Sequence, residues 1–357
     1  MRKVLYLGWI GFNNLGDEWM WEMFKTLADT HLKEEEYQVI PSLPAVEWKK
    51  VSQYDTIVLG GGSLLVPGYV ELVHEAFELG KTIVIWGSGH DRLHKWIPTL
   101  DERPKPEAAM ESETYRQKLK EILEHSVYCG VRGPWTRDYI ESLGARPKHL
   151  EISGDSAMLM NALKPLTDKR LSEGPRGDIR TIGINWGTSY NRIYGGNEGK
   201  AEDQLAETGR SLLALGYKLH LYSVWGPDEK ALASLYRKLG QDERITFDSK
   251  VYSAADYVRL LSGFEATINL KLHANLLSAA ANVPFVCIGY RFKSFDLMNG
   301  LDLSDWIVAS DDPQLASKLT QKAQAAMAWR EGYASKLEKG RQAAYQSLVK
   351  PFQEKLF

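Results

Sequence analysis

The chain has 357 residues, of which 44% are hydrophobic and 25% are charged, so it is long enough for two folded domains that each bury a core. Its formal net charge of -2 at pH 7 argues against a nucleic-acid partner, because such proteins usually carry a strong positive charge. Apolar runs are shorter than the ~18 residues that a membrane-spanning helix needs. We therefore expect a cytoplasmic protein, with at most a peripheral contact at the inner face of a membrane.

Short apolar blocks alternate with longer amphipathic segments, a pattern typical of a parallel β-sheet flanked by helices. The predicted strands lie at 3–9, 36–40, 55–59, 81–86, 126–131 and 148–152, and then at 180–186, 217–223, 244–247, 265–270 and 284–290. The predicted helices lie at 17–30, 68–79, 111–124, 133–143, 200–215, 228–239, 253–261 and 274–282. Each predicted strand is a continuous apolar block, as expected for a sheet that is covered on both faces.

A linker is predicted at 163–180, where glycine and proline stand among charged residues without periodicity. The fold class is therefore α/β, with two Rossmann-like domains that face a central cleft. We predict an N-terminal domain at 1–165, a C-terminal domain at 178–312 and a tail of one or two exposed helices at 313–357. Ligands of such sheets bind beyond the carboxyl ends of the strands, so the loops that follow strands are the places to look for a site.

The two cysteines, Cys129 and Cys287, each lie in an apolar, strand-like run. We interpret them as buried free thiols of a protein in a reducing compartment rather than as a disulfide.

Glycine-rich loops follow two predicted strands of the first half, at Gly8–Asp17 and Gly60–Ser63. Such loops let the backbone turn tightly and approach a ligand, and a following helix directs N–H groups toward an anion. A plain strand-to-helix turn explains the first loop equally well, whereas three consecutive glycines favour close approach to a ligand. The candidate binding residues of the two loops are Gly11, Asn14, Asp17, Gly61, Gly62 and Ser63.

Two charged residues, Arg132 and Asp155, also follow predicted strands. Arg132 stands before a helix start, where its guanidinium is suited either to a carboxylate or phosphate ligand or to an ion pair with a nearby acid. Capping of the next helix is the simplest role for Asp155, and binding of an arginine or of a sugar hydroxyl is the alternative.

In the second half, candidate binding residues follow three strands. Asn185 ends one strand, and Trp186 and Trp225 are suited either to sugar stacking or to burial. Lys271 and His273 stand two residues apart at a predicted strand end, so alternation along the strand would direct both side chains the same way. The next strand is followed by further cations.

The sharpest candidate site joins one imidazole to those cations, His273 with Lys271, Arg291 and Lys293. The sequence lacks both an Asp-x-Asp pair for a metal-bound nucleotide sugar and a Cys/His cluster, so we expect no metal.

Taken in order, these segments resemble the polysaccharide pyruvyl transferase family over about residues 3 to 300. The resemblance rests on Gly8, Gly11, Asn14, Gly16 and Asp17, on Gly60–Leu65, on Arg132-Gly133 and Gly154-Asp155, on Lys271–Ala274, and on Val283-Pro284 with Tyr290 and Lys293.

The resemblance implies a GT-B-like fold, phosphoenolpyruvate as the donor and no cofactor. The implied acceptor is a sugar or a lipid-linked oligosaccharide, expected on the side of the N-terminal domain, whose glycine loops would shape its pocket, while the donor is expected on the side of the C-terminal domain. His273 and Lys293 would be the central catalytic or donor-binding residues, and Arg132 a further one. Lys271 stands where the family commonly has arginine, and Arg291 departs from the family pattern as well. A nucleotide-sugar glycosyltransferase and a non-catalytic sugar-binding relative are the alternatives.

Overall fold

The computed structural model describes residues 1–91, 111–163 and 180–357. These residues divide into two compact units, the first formed by Met1–Asp91, 111–163 and Gly340–Phe357 and the second by 180–339. The predicted linker at 163–180 lies outside the described residues, except for its first and last positions.

The first unit is built on a parallel sheet with the strand order β2-β1-β3-β4-β5-β6. The strands are β1 (Arg2–Leu7), β2 (Tyr37–Pro41), β3 (Thr56–Leu59), β4 (Thr82–Ser88), β5 (Tyr128–Val131) and β6 (Leu150–Ile152). The helices are α1 (Leu15–His31), α2 (Tyr69–Glu78), α3 (Glu113–His125), α4 (Pro134–Ser142) and α5 (Met160–Leu163). Strand order reverses between β1 and β3, and such a switch point is where open α/β sheets bind ligands.

The second unit has the strand order β12-β11-β10-β7-β8-β9, which is that of the Rossmann fold. Its strands are β7 (Thr181–Asn185), β8 (Lys218–Tyr222), β9 (Ile245–Asp248), β10 (Ala266–Asn269), β11 (Phe285–Gly289) and β12 (Ile307–Ala309). Its helices are α6 (Glu198–Ala214), α7 (Glu229–Lys238), α8 (Ala254–Leu261), α9 (Leu272–Ala280), α10 (Phe292–Gly300), α11 (Leu315–Ala328) and α12 (Arg330–Gln353). Here the switch point lies between β7 and β10.

The elements form where the sequence pattern indicates them. The central strands β3, β5, β10 and β11 are buried at every position, in keeping with their continuous apolar sequence. Several helices begin at a polar side chain that accepts a backbone N–H of the first turn, as Asn14, Ser112, Asn197 and Ser253 do. These caps satisfy N–H groups that have no partner inside the helix.

Among the described residues, two α-helices and one strand were not predicted: α5, α10 and β12. Both α5 and β12 are too short to establish a periodicity. The helix α10 is buried at Phe292, Phe295, Leu297 and Met298, so it has no single apolar face to recognise.

The predicted tail consists of two helices, α11 and α12, but they are not merely exposed. Tyr333 is fully buried and donates a hydrogen bond to the carbonyl of Phe285 (2.7 Å) in the second unit. The last part of α12 belongs to the first unit, where Trp86 Nε1 donates to the carbonyl of Leu348 (2.9 Å). Because α11 and α12 are rich in small residues and lysines, their composition alone does not reveal that part of each helix is buried. None of the helices in the described ranges combines the length and hydropathy of a membrane span.

Candidate functional site

Asn185 lies at the switch point of the second unit and is fully buried. Its side-chain oxygen accepts the backbone N–H of Lys271 (3.0 Å), and its side-chain nitrogen donates to the carbonyl of Tyr222 (3.0 Å). The predicted binding residue Asn185 therefore joins the carboxyl ends of β7, β8 and β10.

Lys271 joins the same loops through its side chain. Its Nζ donates to the carbonyl of Thr188 (2.6 Å), lies 3.1 Å from Asp228 Oδ1 and stands 5.0 Å from the ring centroid of Trp225. Asp228 is fully buried and also accepts the backbone N–H of Thr188 (3.0 Å). Burial raises the pKa of Asp228 above its ordinary value, although the Lys271 ammonium acts in the opposite direction. Lys271 and Asp228 thus form a buried pair that fixes the loop after β7.

The structure corrects the expectation that Lys271 and His273 share one face of a strand. The strand β10 ends at Asn269, Lys271 occupies the N-cap position of α9 without a side-chain capping bond, and His273 lies in the first turn of that helix. Strand alternation therefore does not apply to the two side chains. The sequence did not reveal this because the apolar block runs past the last hydrogen-bonded residue of the strand.

His273 and Lys293 nevertheless belong to the same edge of the second sheet. Strands β10 and β11 are parallel neighbours in register at Asn269 and Cys287, so α9 and α10 begin side by side. His273 and Lys293 both lie in first turns and are partly exposed, and Arg291 occupies the N-cap position of α10. Lys293 Nζ stands 5.5 Å from the ring centroid of Tyr290. Two helix N-termini and these cations together suit an anionic ligand.

The triple glycine of the first unit has a packing explanation at two positions. A Cβ on Gly60 would lie 2.3 Å from Tyr6 Cζ, and a Cβ on Gly61 would lie 2.5 Å from both Met20 Sδ and Ser156 Oγ. Both glycines are thus required by the protein's own side chains. Gly62 has a φ of +103° and turns the chain toward Ser63, which is partly exposed.

Arg132 is only 1% exposed and connects two loops of the first unit. Its guanidinium donates to Ser63 Oγ (3.2 Å) and to the carbonyl of His90 (2.9 Å), and it packs where a Cβ on Gly89 would lie. These bonds give Arg132 a positioning role for the loops after β3 and β4.

Asp155 is fully buried and caps the short helix at Ser156–Leu159, where its Oδ1 accepts the backbone N–H of Ala157 (3.0 Å). The simplest of its predicted roles is therefore confirmed.

The loop after β1 holds the remaining candidates. Asn14 caps α1 by accepting the backbone N–H of Gly16 (3.2 Å), and Gly11 has a φ of +85°. Asp17 Oδ1 lies 3.3 Å from the position of a Cβ on Gly62, so the loops after β1 and β3 meet at the switch point.

The structure also decides the predictions for the two cysteines and for Trp186. Cys129 and Cys287 are free and fully buried, and burial raises the pKa of each thiol to about 12. Trp186 is buried and donates to Glu202 Oε2 (2.8 Å), so burial rather than sugar stacking is its role. Asp228 was not predicted as a site residue, because this carboxylate gains its importance only from its contact with Lys271, 43 residues later in the chain.

A family profile for polysaccharide pyruvyl transferase matches residues 14–291, most of the chain. The chain belongs to the polysaccharide pyruvyl transferase family. Comparison with curated proteins gives no match.

Solved structures with a similar fold include a putative UDP-N-acetylglucosamine 2-epimerase from Listeria monocytogenes, at 12% identity over 99% of this chain and 97% of that one, with a TM-score of 0.63. MnaA of S. aureus, solved with UDP, is 12% identical over 100% and 98% of the two chains, with a TM-score of 0.62. The UDP-GlcNAc 2-epimerase of Methanocaldococcus jannaschii, solved with UDP-GlcNAc and UDP, is 11% identical over 99% and 100%, also with a TM-score of 0.62. These likenesses show the fold, two Rossmann-like domains of the GT-B kind.

Proposed function

We propose that the protein transfers an enolpyruvyl unit from phosphoenolpyruvate to a sugar of a cell-surface polysaccharide or of its lipid-linked precursor, forming a pyruvate ketal. The observation that carries the proposal is the pair of helix N-termini after β10 and β11, with His273 and Lys293 in their first turns. Membership of the pyruvyl transferase family supports it.

Each step of the reaction makes a demand on the site. A proton is added to the methylene carbon of phosphoenolpyruvate, which becomes a methyl group, and positive charge develops at the neighbouring carbon. One sugar hydroxyl attacks that carbon and loses its proton. A second hydroxyl then displaces phosphate and closes the ketal, and its proton leaves with the inorganic phosphate. The site must therefore hold a carboxylate and a phosphate, supply an acid and a base, and stabilise the leaving phosphate.

In this proposal His273 transfers the proton, either to the methylene carbon or from the sugar hydroxyl. Lys293 and Arg291, together with the N–H groups of α9 and α10, neutralise the charges of the donor. Lys271 contributes indirectly, because its ammonium is already engaged by Thr188 and Asp228 and fixes the loop beside the donor.

The proposed reaction needs no metal or cofactor, and activity should persist in a chelator. Its partners are phosphoenolpyruvate and the sugar acceptor, with no role for nucleic acid. We propose a cytoplasmic enzyme that meets a lipid-linked acceptor at the inner face of the membrane.

A second candidate is a glycosyltransferase with a nucleotide-sugar donor. It is favoured by similar structures that were solved with UDP or UDP-GlcNAc. Their identity to this chain is only 11–12%, so the likeness is one of fold. A non-catalytic sugar-binding relative is a third candidate, since Lys271 and Arg291 depart from the family pattern.

Thermal unfolding with each candidate donor separates these functions. Phosphoenolpyruvate at 100 times its dissociation constant should stabilise the protein by about 2.7 kcal/mol, and UDP-sugars should not. The variant Lys293→Ala should lose most of this stabilisation. Lys250→Ala is a matched control, because Lys250 also lies over a tyrosine ring, 4.9 Å from the centroid of Tyr252, but follows the edge strand β9.

Phosphate release from phosphoenolpyruvate should then depend on a hexose or N-acetylhexosamine acceptor. Stabilisation by UDP-sugars alone would replace the proposal with the second candidate. A folded protein that neither binds phosphoenolpyruvate nor releases phosphate across the acceptor panel would favour the non-catalytic relative.

A further inference from the structure

Two large aromatic side chains are exposed on the loop after β1. Trp9 is 50% exposed and Phe12 is 51% exposed, and their ring centroids lie 4.9 Å apart. Single exposed aromatics are common on protein surfaces, but a contacting pair on one loop is a patch that calls for a ligand or partner. We refer to Trp9 and Phe12 as the aromatic platform.

The loop that carries the aromatic platform is held in place by its own bonds. The backbone N–H of Gly11 donates to Glu18 Oε1 (2.6 Å), and the left-handed Gly11 packs so closely on Pro44 that a Cβ would lie 2.5 Å from Pro44 Cδ. Tyr69 donates from its hydroxyl to the carbonyl of Gly8 (3.4 Å). The two rings are therefore presented by a fixed backbone, which lowers the entropic cost of binding.

The loop that carries the aromatic platform follows β1, one of the two strands at the switch point. Asp17, in the first turn of α1, reaches the glycine loop after β3 at Gly62. Burial, and to a smaller extent the charge of Asp17, raise the pKa of Tyr69 to about 12, so this phenol stays neutral at physiological pH. A carboxylate in the first turn of α1 and a phenol bonded to the same loop at Gly8 are the kinds of polar partner that a sugar hydroxyl requires.

The charge of the loop around the aromatic platform indicates which class of ligand fits it. The segment 8–18 contains Asp17 and Glu18 but no lysine or arginine. An acidic loop is unsuited to the anionic inner surface of a membrane, where basic residues are the usual contacts. A neutral sugar ring fits better, because its C–H groups pack on electron-rich ring faces while its hydroxyls donate to a carboxylate.

We propose that Trp9 and Phe12 form a subsite for a neutral pyranose ring of the acceptor, with Asp17 accepting a hydrogen bond from one of its hydroxyls. This inference rests on the proposed function, and it assigns acceptor recognition to the first unit.

The test is saturation-transfer NMR titration with methyl glycosides of glucose, galactose, mannose, N-acetylglucosamine and N-acetylmannosamine, without any donor. The wild type should bind at least one of them, and Trp9→Ala and Phe12→Ala should each weaken that binding roughly tenfold. Leu79→Ala is the matched control, since Leu79 is also 50% exposed but lies at the end of α2, before β4 begins, and it should bind as the wild type does. Thermal unfolding of each variant establishes that it is folded.

Equal binding by the platform variants and the wild type would overturn the inference, as would a wild type that binds none of the glycosides. A third measurement is sedimentation with phosphatidylcholine and phosphatidylglycerol vesicles. Vesicle binding that disappears in Trp9→Ala would assign the platform to a membrane instead. If phosphoenolpyruvate fails to stabilise the protein while glycosides still bind through Trp9, the proposed function fails and the sugar subsite stands.

Discussion

In both units, glycines or charged residues follow buried strands, but the two units use these residues differently. In the first unit, Gly60 and Gly61 make room for side chains of the protein itself, and Arg132 bonds two of its loops. In the second unit, His273 and Lys293 lie partly exposed in the first turns of neighbouring helices. The comparison teaches that a functional signature after a strand must be tested against the internal contacts it satisfies.

The largest effect should come from His273. If this imidazole transfers the proton, His273→Ala should lower kcat by ~10²–10⁴ without unfolding the protein. Steady-state phosphate release measures the loss, and His149→Ala, at an exposed histidine of the first unit, is the control. Near-normal turnover of the His273→Ala enzyme would exclude His273 as the residue that transfers the proton, and the second unit would then lose its proposed catalytic group.

Lys271 tests the comparison directly, because its sequence position predicts a role in donor binding whereas its ammonium contacts Thr188 and Asp228 in the structure. Lys271→Met leaves Asp228 buried without its cation and should cost ~3–5 kcal/mol of unfolding free energy, measured with urea. Replacing both residues, Lys271→Met with Asp228→Asn, should recover most of this loss, since the buried carboxylate is gone.

The double replacement also separates the two roles of Lys271. If its stability returns and phosphoenolpyruvate still stabilises the protein as in the wild type, Lys271 acts only through the loop. A single Lys271→Met variant as stable as the wild type would contradict the buried pair.

The smallest effect should come from the glycines of the first unit. Gly61→Ala forces a methyl group against Met20 and Ser156 and should lower the unfolding free energy by ~1–3 kcal/mol. Gly226→Ala, which would meet nothing within 4 Å, should be close to neutral. A Gly61→Ala protein of normal stability that has lost acceptor-dependent turnover would instead return this glycine to the ligand site.

Much of the fold could be predicted because it depends on local pattern. Each predicted strand is present within a few residues of its expected ends, since a buried strand needs a continuous apolar block, and the capping role of Asp155 follows from its place before a helix. The short β12 and the buried α10 lack such a pattern.

The site was harder to predict because its meaning lies in distant contacts. The sequence around Gly61 does not indicate that Met20 and Ser156 pack against it. The sequence around Lys271 likewise does not indicate its contact with Asp228. The boundary between β10 and α9 was also hidden, because Leu270 and Leu272 extend the apolar block on both sides of Lys271. The family resemblance identified His273 and Lys293 as candidate site residues more clearly than the sequence around them does.

The first unit is assembled from segments that lie far apart in the chain, because residues 340–357 pack with the residues before 164. Phe352 and Phe357 pack on Phe24, with ring centroids 5.0 and 5.9 Å apart. During synthesis, therefore, the amino-terminal sheet emerges long before the rings that complete its core. Until Phe352 and Phe357 have been synthesised, the surface of Phe24 that they cover is open to water and to chaperones, although domains usually fold as soon as they are made.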